Sequence, residues 1–452
     1  MSSESTVYHK RRHAARTTDE YLFHQLVPYL GNKRRLLHLI LEALESTGTL
    51  NRADGRAPIF ADFFAGSGVV SRLARQNGYR VIANDWEPYS HALNHAILAC
   101  TEAPAFKELG GYQKAIDYLN RLPEVKGWVT HNLCPRNDEI YDPSRDRLFF
   151  KRRNGMRIDA IRQQIATWQA QGAIDDVEMS ALLAPLLYSA SFVSNTSGVF
   201  KSFHHGWGGK TQTALERIES LLWLTPSRFS EVGDNKQKNP MAEMWCVDAQ
   251  HLANQMSSFE VDVAYLDPPY NQHAYSSNYH VLNALTLWDQ VDLPTPDTKG
   301  FKSGIDRAWR KERPSPYNSS KYAKEAYEKL LSTINARYIL TSYSTDGNIE
   351  AGDLLKANLE RGRVTLLTQD VPRYRVSKQR QSERARVLEF IVITDTHAKS
   401  GPQFVNCLGS CTIMPNWAGS IHLGSRHSWR CGKNIEVEIR NVYRDHRKSR
   451  HS

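Results

Sequence analysis

The stretch that most constrains this chain is residues 261–270, Val-Asp-Val-Ala-Tyr-Leu-Asp-Pro-Pro-Tyr. Val261, Val263 and Tyr265 share one face of a short strand, with Asp262, Ala264 and Leu266 on the other. The β-branched and aromatic side chains suit a pleated surface. Asp267, Pro268, Pro269 and Tyr270 then end it, because two successive prolines lack N–H groups and fix φ, so a central strand cannot continue. What results is a stiff loop carrying a carboxylate, bare carbonyls and an aromatic ring at a strand's C-terminal edge. In open α/β sheets that edge is where ligands bind. A planar amino group fits such a loop: Asp267 and the Pro268 carbonyl each accept one N–H, which localises the nitrogen lone pair, while Tyr270 stacks on the ring. Taken alone, the same residues also read as a strand-ending turn.

The upstream sequence supplies the context. Residues 57–68 read as a strand that runs through Asp62 and Phe64 into a Gly66-Ser-Gly68 turn. A helix with Val70, Leu73 and Ala74 on one side follows, then a strand over 79–83 ending at Asn84-Asp85. Strand, glycine turn, helix, strand and acid are the nucleotide-binding half of a doubly wound sheet. Gly66 and Gly68 let a ligand approach the backbone, and Asp85 is placed to accept from ribose hydroxyls. The spacing is neither the dinucleotide Gly-x-Gly-x-x-Gly nor a phosphate-binding loop with its Lys-Ser/Thr. Before this unit, Tyr29, Gly31 and Lys33 enter a helix with an apolar face. A cation in a first helical turn opposes the helix dipole, so Lys33 reads either as the partner of a carboxylate or as a simply solvated lysine. After it, a strand over 244–247 closes in Asp248, which can accept an adenine amino hydrogen from a nucleoside cofactor. The expected fold is therefore α/β, a doubly wound and mostly parallel sheet with a helical insert.

From about 100 to 240 the sheet pattern lapses. Ile158, Ile161, Ile165 and Trp168 predict an amphipathic helix over 156–170, and a second is expected over 215–222. Between them residues 195–210 mix glycine, aromatic and basic side chains. Lys201, His204 and Lys210 suit contact with a nucleic-acid backbone, and the rings suit an unpaired base. Residues 290–320 look like a mobile lid. Residues 364–368 and 387–394 pair as a hairpin around a basic arm that includes Arg375, Lys378 and Arg380. The net charge of +10 is carried largely by the tails and is weak evidence for a polyanion by itself. Six scattered cysteines imply no disulfide framework. Cys407, Cys411 and Cys431 with His422 and His427 lack the spacing of a zinc site, so no metal is expected. No apolar leader and no segment long enough to span a bilayer are visible, so a cytoplasmic protein without membrane contact is expected.

Together, residues 28–33, Asp62 to Gly68, Asp85, Asp248 and the Asp-Pro-Pro-Tyr at 267–270 resemble the Dam-like, alpha-group family of adenine-N6 DNA methyltransferases. That family belongs to restriction–modification systems, their solitary relatives and phages. The resemblance covers about 21–395. It implies S-adenosylmethionine as cofactor, with Tyr29, Gly31 and Lys33 bordering its methionine, and Asp62, Phe64, Gly66 and Gly68 around its floor. Asp85 would hold the ribose and Asp248 the adenine, leaving Asp267 to Tyr270 for a target adenine taken out of double-stranded DNA. It leaves a cognate restriction endonuclease open as a partner. The implied organisation is a basic arm (1–20), a catalytic domain (21–100 and 241–395), a target-recognition insert (101–240) and an extension of unknown role (396–452). RNA base methylation and a non-catalytic DNA-binding module on the same fold are the alternatives.

Overall fold

The computed structural model describes residues 21–51, 55–229, 242–300, 302–305, 307–372 and 386–398, together with three short strands beyond. Its contacts divide it into two compact units. The first takes the chain through Lys33, Ala65–Val247 and His273–Pro314; the second takes Arg34–Phe64, Asp248–Gln272 and the chain from Ser315. In chain order the main strands are β1 (Ile59–Asp62), β2 (Arg80–Asn84), β3 (Glu243–Trp245), β4 (Val261–Leu266), β5 (Ala336–Ser344), β6 (Arg363–Pro372), β7 (Arg386–Asp395) and β8 (Asn406–Leu408).

In the second unit β1, β4 and β5 pair in parallel, with Asp62 opposite Tyr265 and Val263 opposite Tyr338. β7 then runs antiparallel to both β5 and β6, with Val364 opposite Thr394, so the predicted hairpin is present. β8 joins β6 in parallel, and His427–Arg430 pairs with Glu436–Ile439 separately. Val261, Val263, Ala264, Tyr265 and Leu266 of β4 are all buried. Both faces of the strand are covered, as expected of a parallel strand rather than a half-solvated one. Asp262 is less buried, and its carboxylate accepts the Ile59 N–H at 2.8 Å, which fixes the start of β1. Helices Leu37–Ser46, Ala249–Gln255, Ala323–Thr333 and Ala351–Arg361 complete the unit. Their apolar stripes account for the packing, as with Leu39, Ile40, Ala43 and Leu44.

The first unit holds the parallel pair β2–β3 and most of the helices. The predicted 156–170 helix begins earlier, at Arg152, and buries Ile158, Ile161, Ile165 and Trp168 as its spacing requires. Helix Asp176–Val193 has no apolar stripe because it is apolar all round, and it runs through the core. Asp175 and Glu178 form a capping box at its start. Pro185 sits inside it and removes the N–H that would bond the Ala181 carbonyl. The Tyr112 hydroxyl donates to that carbonyl at 2.9 Å, so the helix continues without a buried orphan. Val291, Pro294, Lys302 and Ser303, in the stretch expected as a lid, are held through their carbonyls. Trp128 Nε1 donates to the Val291 carbonyl, Arg147 to those of Pro294 and Lys302, and the His280 ring meets that of Ser303. Among the described residues no helix is long and apolar enough to cross a membrane. The mostly parallel sheet with flanking helices is the doubly wound α/β arrangement expected from the sequence.

Candidate active site

In the first unit the glycine turn is held from several sides. Gly66 and Gly68 take φ of 53° and 77°, in the left-handed region that glycine adopts without penalty. Gly68 caps helix Val69–Gln76, and a Cβ there would lie 1.8 Å from Asn94 Oδ1. A Cβ at Gly66 would lie 2.8 Å from the Tyr29 ring. Asp85, just after β2, accepts the Gly66 N–H at 2.8 Å through one oxygen and the Glu87 N–H at 2.9 Å through the other. The Gly66 carbonyl accepts from Ser90 Oγ at 2.6 Å and Asn94 Nδ2 at 3.0 Å. Burial pushes the Asp85 carboxyl up to about 6, although these donors pull the other way. Glu87 is pushed up to about 7, first by burial; Asn283 Nδ2, donating at 2.6 Å, opposes the rise.

Tyr29 belongs to a group of stacked rings. It lies 5.4 Å from Tyr279 and 5.1 Å from Tyr275, and Tyr279 in turn lies 5.0 Å from Tyr89. Their hydroxyls secure the backbone beside it: Tyr279 accepts the Leu30 N–H at 2.8 Å, and Tyr275 donates to the Leu30 carbonyl at 2.9 Å. Gly31, at φ 78°, makes the turn that follows, and the Asn32 N–H closes on the Tyr29 carbonyl. Lys33 is buried at the start of the helical segment. Tyr29, Gly66, Gly68 and Asp85 are thus one connected arrangement. Glu87, Ser90, Asn94 and Asn283 belong to it and were not singled out from the sequence. Only the spacing from Ser90 to Asn94, one helical turn on the helix after Asp85, could have signalled them.

In the second unit, parallel pairing of β1, β4 and β5 brings the ends of those strands to one edge. Asp62 is fully buried and accepts the Phe64 N–H at 3.3 Å. The Phe64 ring meets Tyr317 edge-on at 5.3 Å. Asp267 to Tyr270 leave β4 as a ledge in which Pro268 is buried and the other three residues are partly exposed. The Tyr270 carbonyl accepts the Asn348 N–H at 3.0 Å, and its ring meets Tyr343 edge-on at 6.3 Å. Asn348 Nδ2 also donates to the Tyr317 carbonyl, and Asn318 Nδ2 to that of Asn271. The prolines therefore account for the ledge's stiffness only in part; residues 317–318 and 343–348 brace it, and no motif in the sequence marks them. Asp248 is the N-cap of helix Ala249–Gln255, accepting the Gln250 N–H at 2.9 Å. Its charge adds to the burial that pushes the Tyr317 hydroxyl up.

The 195–210 segment, in the first unit, divides its residues. Phe200 and Phe203 go into the core, and Asn195 accepts the Gly208 N–H and donates to the His204 carbonyl. Lys201 and Lys210 point to solvent. The His204 ring is half-buried, reaches Ser197 Oγ at 3.3 Å, and is pushed down by burial and by Arg217. Arg375, Lys378 and Arg380 lie outside the described residues, as do residues 1–20, and beyond residue 398 the side chains of the proposed extension are likewise not described.

Residues 29–337 match the family of D12 class N6 adenine-specific DNA methyltransferases. The Type II methyltransferase M.NlaIII of Neisseria lactamica is 30% identical over 77% of this chain and 93% of its own length. M.FokI of Planomicrobium okeanokoites, also a Type II methyltransferase, is 31% identical over 71% of this chain and 44% of its own. Modification methylase LlaI of Lactococcus lactis subsp. lactis is 29% identical over 81% of this chain and 54% of its own. The chain therefore spans nearly all of the first and about half of the other two. Such enzymes need a methyl donor, and the glycine cradle with its flanking acids is a fitting receptacle for one that carries a nucleoside. The chain belongs to the D12 class of N6 adenine-specific DNA methyltransferases.

Proposed function

We propose that the chain transfers the methyl group of S-adenosylmethionine to the N6 amine of an adenine flipped out of double-stranded DNA. When bound, that cofactor supplies an electrophilic methyl on a sulfonium. Gly66 and Gly68 give its backbone approach, Tyr29, Gly31 and Lys33 border its methionine, and Asp62 and Phe64 flank the floor. Asp85 accepts from its ribose and Asp248 from its adenine. A carboxylate has about four lone-pair sites, so two backbone N–H bonds leave Asp85 with capacity for hydroxyls. Asp267 and the Pro268 carbonyl accept the two hydrogens of the target amine, Pro269 keeps the ledge stiff, and Tyr270 stacks on the base. Positioning and hydrogen bonding carry the catalysis, with no covalent intermediate.

The observation that carries this reading is the Asp267–Tyr270 ledge at the end of β4, braced at Tyr270 through its carbonyl by Asn348 and through its ring by Tyr343. Residues 101–240 supply target recognition, with Lys201, His204 and Lys210 on the DNA, and Arg375, Lys378 and Arg380 adding charge from the hairpin arm. By analogy with the Type II relatives, a cognate restriction endonuclease shares the recognition sequence. Methyl transfer from labelled S-adenosylmethionine to duplex DNA, duplex RNA and single strands tests the reading. Label in the adenines of duplex DNA is the expected result; label confined to RNA, or none, would overturn it.

A further inference from the structure

Two lysine–histidine pairs stand on the surface of the first unit. Lys201 Nζ lies 3.5 Å from His273 Nδ1, and Lys302 Nζ lies 3.1 Å from His205 Nε2. Three separate stretches of chain contribute. Lys201 and both histidines are exposed, and Lys302 is half-buried. In each pair a cation faces an imidazole rather than a carboxylate. The backbone beside each lysine is anchored. The Phe200 N–H donates to the Asn278 carbonyl at 2.6 Å, and the Lys302 carbonyl accepts from Arg147 Nε at 3.1 Å. The Lys302 ammonium also lies 6.0 Å from the Phe203 ring. Each ammonium so held has an imidazole nitrogen as its partner, an acceptor that an arriving anion would outcompete.

We propose that Lys201–His273 and His205–Lys302 form a phosphate clamp for the backbone of duplex DNA, each pair taking one phosphate and a proton as it binds. The clamp rests on the functional reading above and adds to it His205, His273 and Lys302. An ammonium donating to an imidazole nitrogen requires that nitrogen to be unprotonated. A phosphate supplies a better acceptor for the ammonium and favours the imidazolium, so each pair converts from a closed contact into two donors aimed at one anion. The charged groups around the pairs are consistent with this. Burial and Lys201 hold His273 below the ordinary imidazole range. The exposed Asp142 carboxylate feels both Arg145 and Lys302 and so bears on the second pair. The Asp142 carboxylate already accepts from the Ser144 N–H at 2.8 Å and hydroxyl at 2.7 Å. Next to His205, the His204 ring is under the influence of Arg217.

The test is affinity of the full chain for a short synthetic duplex, measured against salt and pH. Lys201→Gln with Lys302→Gln should lower the slope of log affinity against log salt by about 2, close to one per lost phosphate contact. Lys324→Gln, at a lysine already paired with Asp353 at 2.9 Å, should leave the slope as in wild type. In wild type, affinity should rise several-fold as pH falls from 8 to 6, the full tenfold per imidazole lifted by about one pH unit being reached only below the unbound imidazole's range. His205→Gln with His273→Gln should flatten that dependence, since glutamine keeps a polar partner for each lysine but cannot take up a proton. An unchanged salt slope in the lysine pair, or an unchanged pH dependence in the histidine pair, overturns the clamp. A wild-type chain that does not bind duplex DNA overturns the functional reading instead.

Discussion

Replacing Asp85 with asparagine sets two effects of known sign against each other. The folded chain holds the carboxyl at about 6 instead of its ordinary 3.8, with burial as the largest cause. Below the ordinary value both folded and unfolded chains carry the proton, and Asp85 costs nothing. As pH rises, the unfolded chain releases the proton first, so stability falls until the folded group has titrated as well. A shift of that size corresponds to about 3 kcal/mol, lost between roughly pH 4 and pH 7. Asparagine carries no such penalty at any pH. It does, however, turn an N–H toward either the Gly66 or the Glu87 donor, and losing one acceptor in a buried site costs about 1–3 kcal/mol. At pH 5 about half of that loss has already occurred, so the two proteins should be close in stability, and by pH 8 the balance should have moved toward asparagine by a further ~1.5 kcal/mol. Urea unfolding midpoints of both proteins at the two pH values give the comparison. The affinity for S-adenosylmethionine should move oppositely: ribose hydroxyls donate to the ionised carboxylate, so wild-type binding strengthens as pH rises through about 6. A stability gap that is the same at pH 5 and pH 8 would refute the assignment of a buried, proton-holding Asp85.

Asp267→Ala should abolish methyl transfer while calorimetry finds cofactor affinity close to wild type; equal loss of both would move Asp267 to the cofactor. Gly68→Ala should destabilise the chain by about 1–3 kcal/mol from its positive φ alone, with the Asn94 clash added, and thermal unfolding reads the loss. Tyr112→Phe leaves the Ala181 carbonyl without its donor and should cost about 1–3 kcal/mol in urea unfolding, with cofactor binding retained. Replacing Arg375, Lys378 and Arg380 together with glutamine should lower the salt slope of DNA binding by about 2–3, and an unchanged slope would leave the arm a solubility device.

The parts of this chain that could be read in advance are those whose physics is local. β4 announces itself because prolines and β-branched residues are incompatible with anything else at 261–270, and the glycine turn because only glycine takes φ of 53° and 77° cheaply. The hairpin of β6 and β7 follows from two apolar runs around a charged arm. Helix 152–170 carries its period openly, whereas Asp176–Val193 does not, since a helix apolar on nearly every side has no stripe to detect and Pro185 argues against it. In the 290–320 stretch expected as a lid, the ties at Val291, Pro294, Lys302 and Ser303 were missed for a related reason. Trp128, Arg147 and His280 fasten that stretch by donating to or meeting its carbonyls, and backbone carbonyls are invisible in a sequence. The resemblance to Dam-like enzymes was right about the reaction; the family it led to is the D12 class, with Type II methyltransferases among the relatives.

The acids show why motif residues are easier to find than to interpret. Asp62, Asp85 and Asp248 stand at strand ends and suggest ligand acceptors, yet each already accepts a backbone N–H: from Phe64, from Gly66 and Glu87, and from Gln250. The two uses are compatible. A loop that must bend sharply leaves N–H groups without partners, and a short carboxylate nearby is the side chain that can satisfy them. Once those donors fix its position, its remaining lone pairs point in set directions, which a ligand's hydroxyls or amino group can meet without ordering anything further. Glu87 extends this device. Asn283 holds one of its oxygens and also accepts the Tyr89 N–H at 3.2 Å, so one buried amide fixes both a carboxylate and the first turn of helix Pro88–Ala99. Residues such as Asn283, nearly two hundred positions from what they hold, become legible only when the chain has folded, because their role is set by whom they meet and not by what they are.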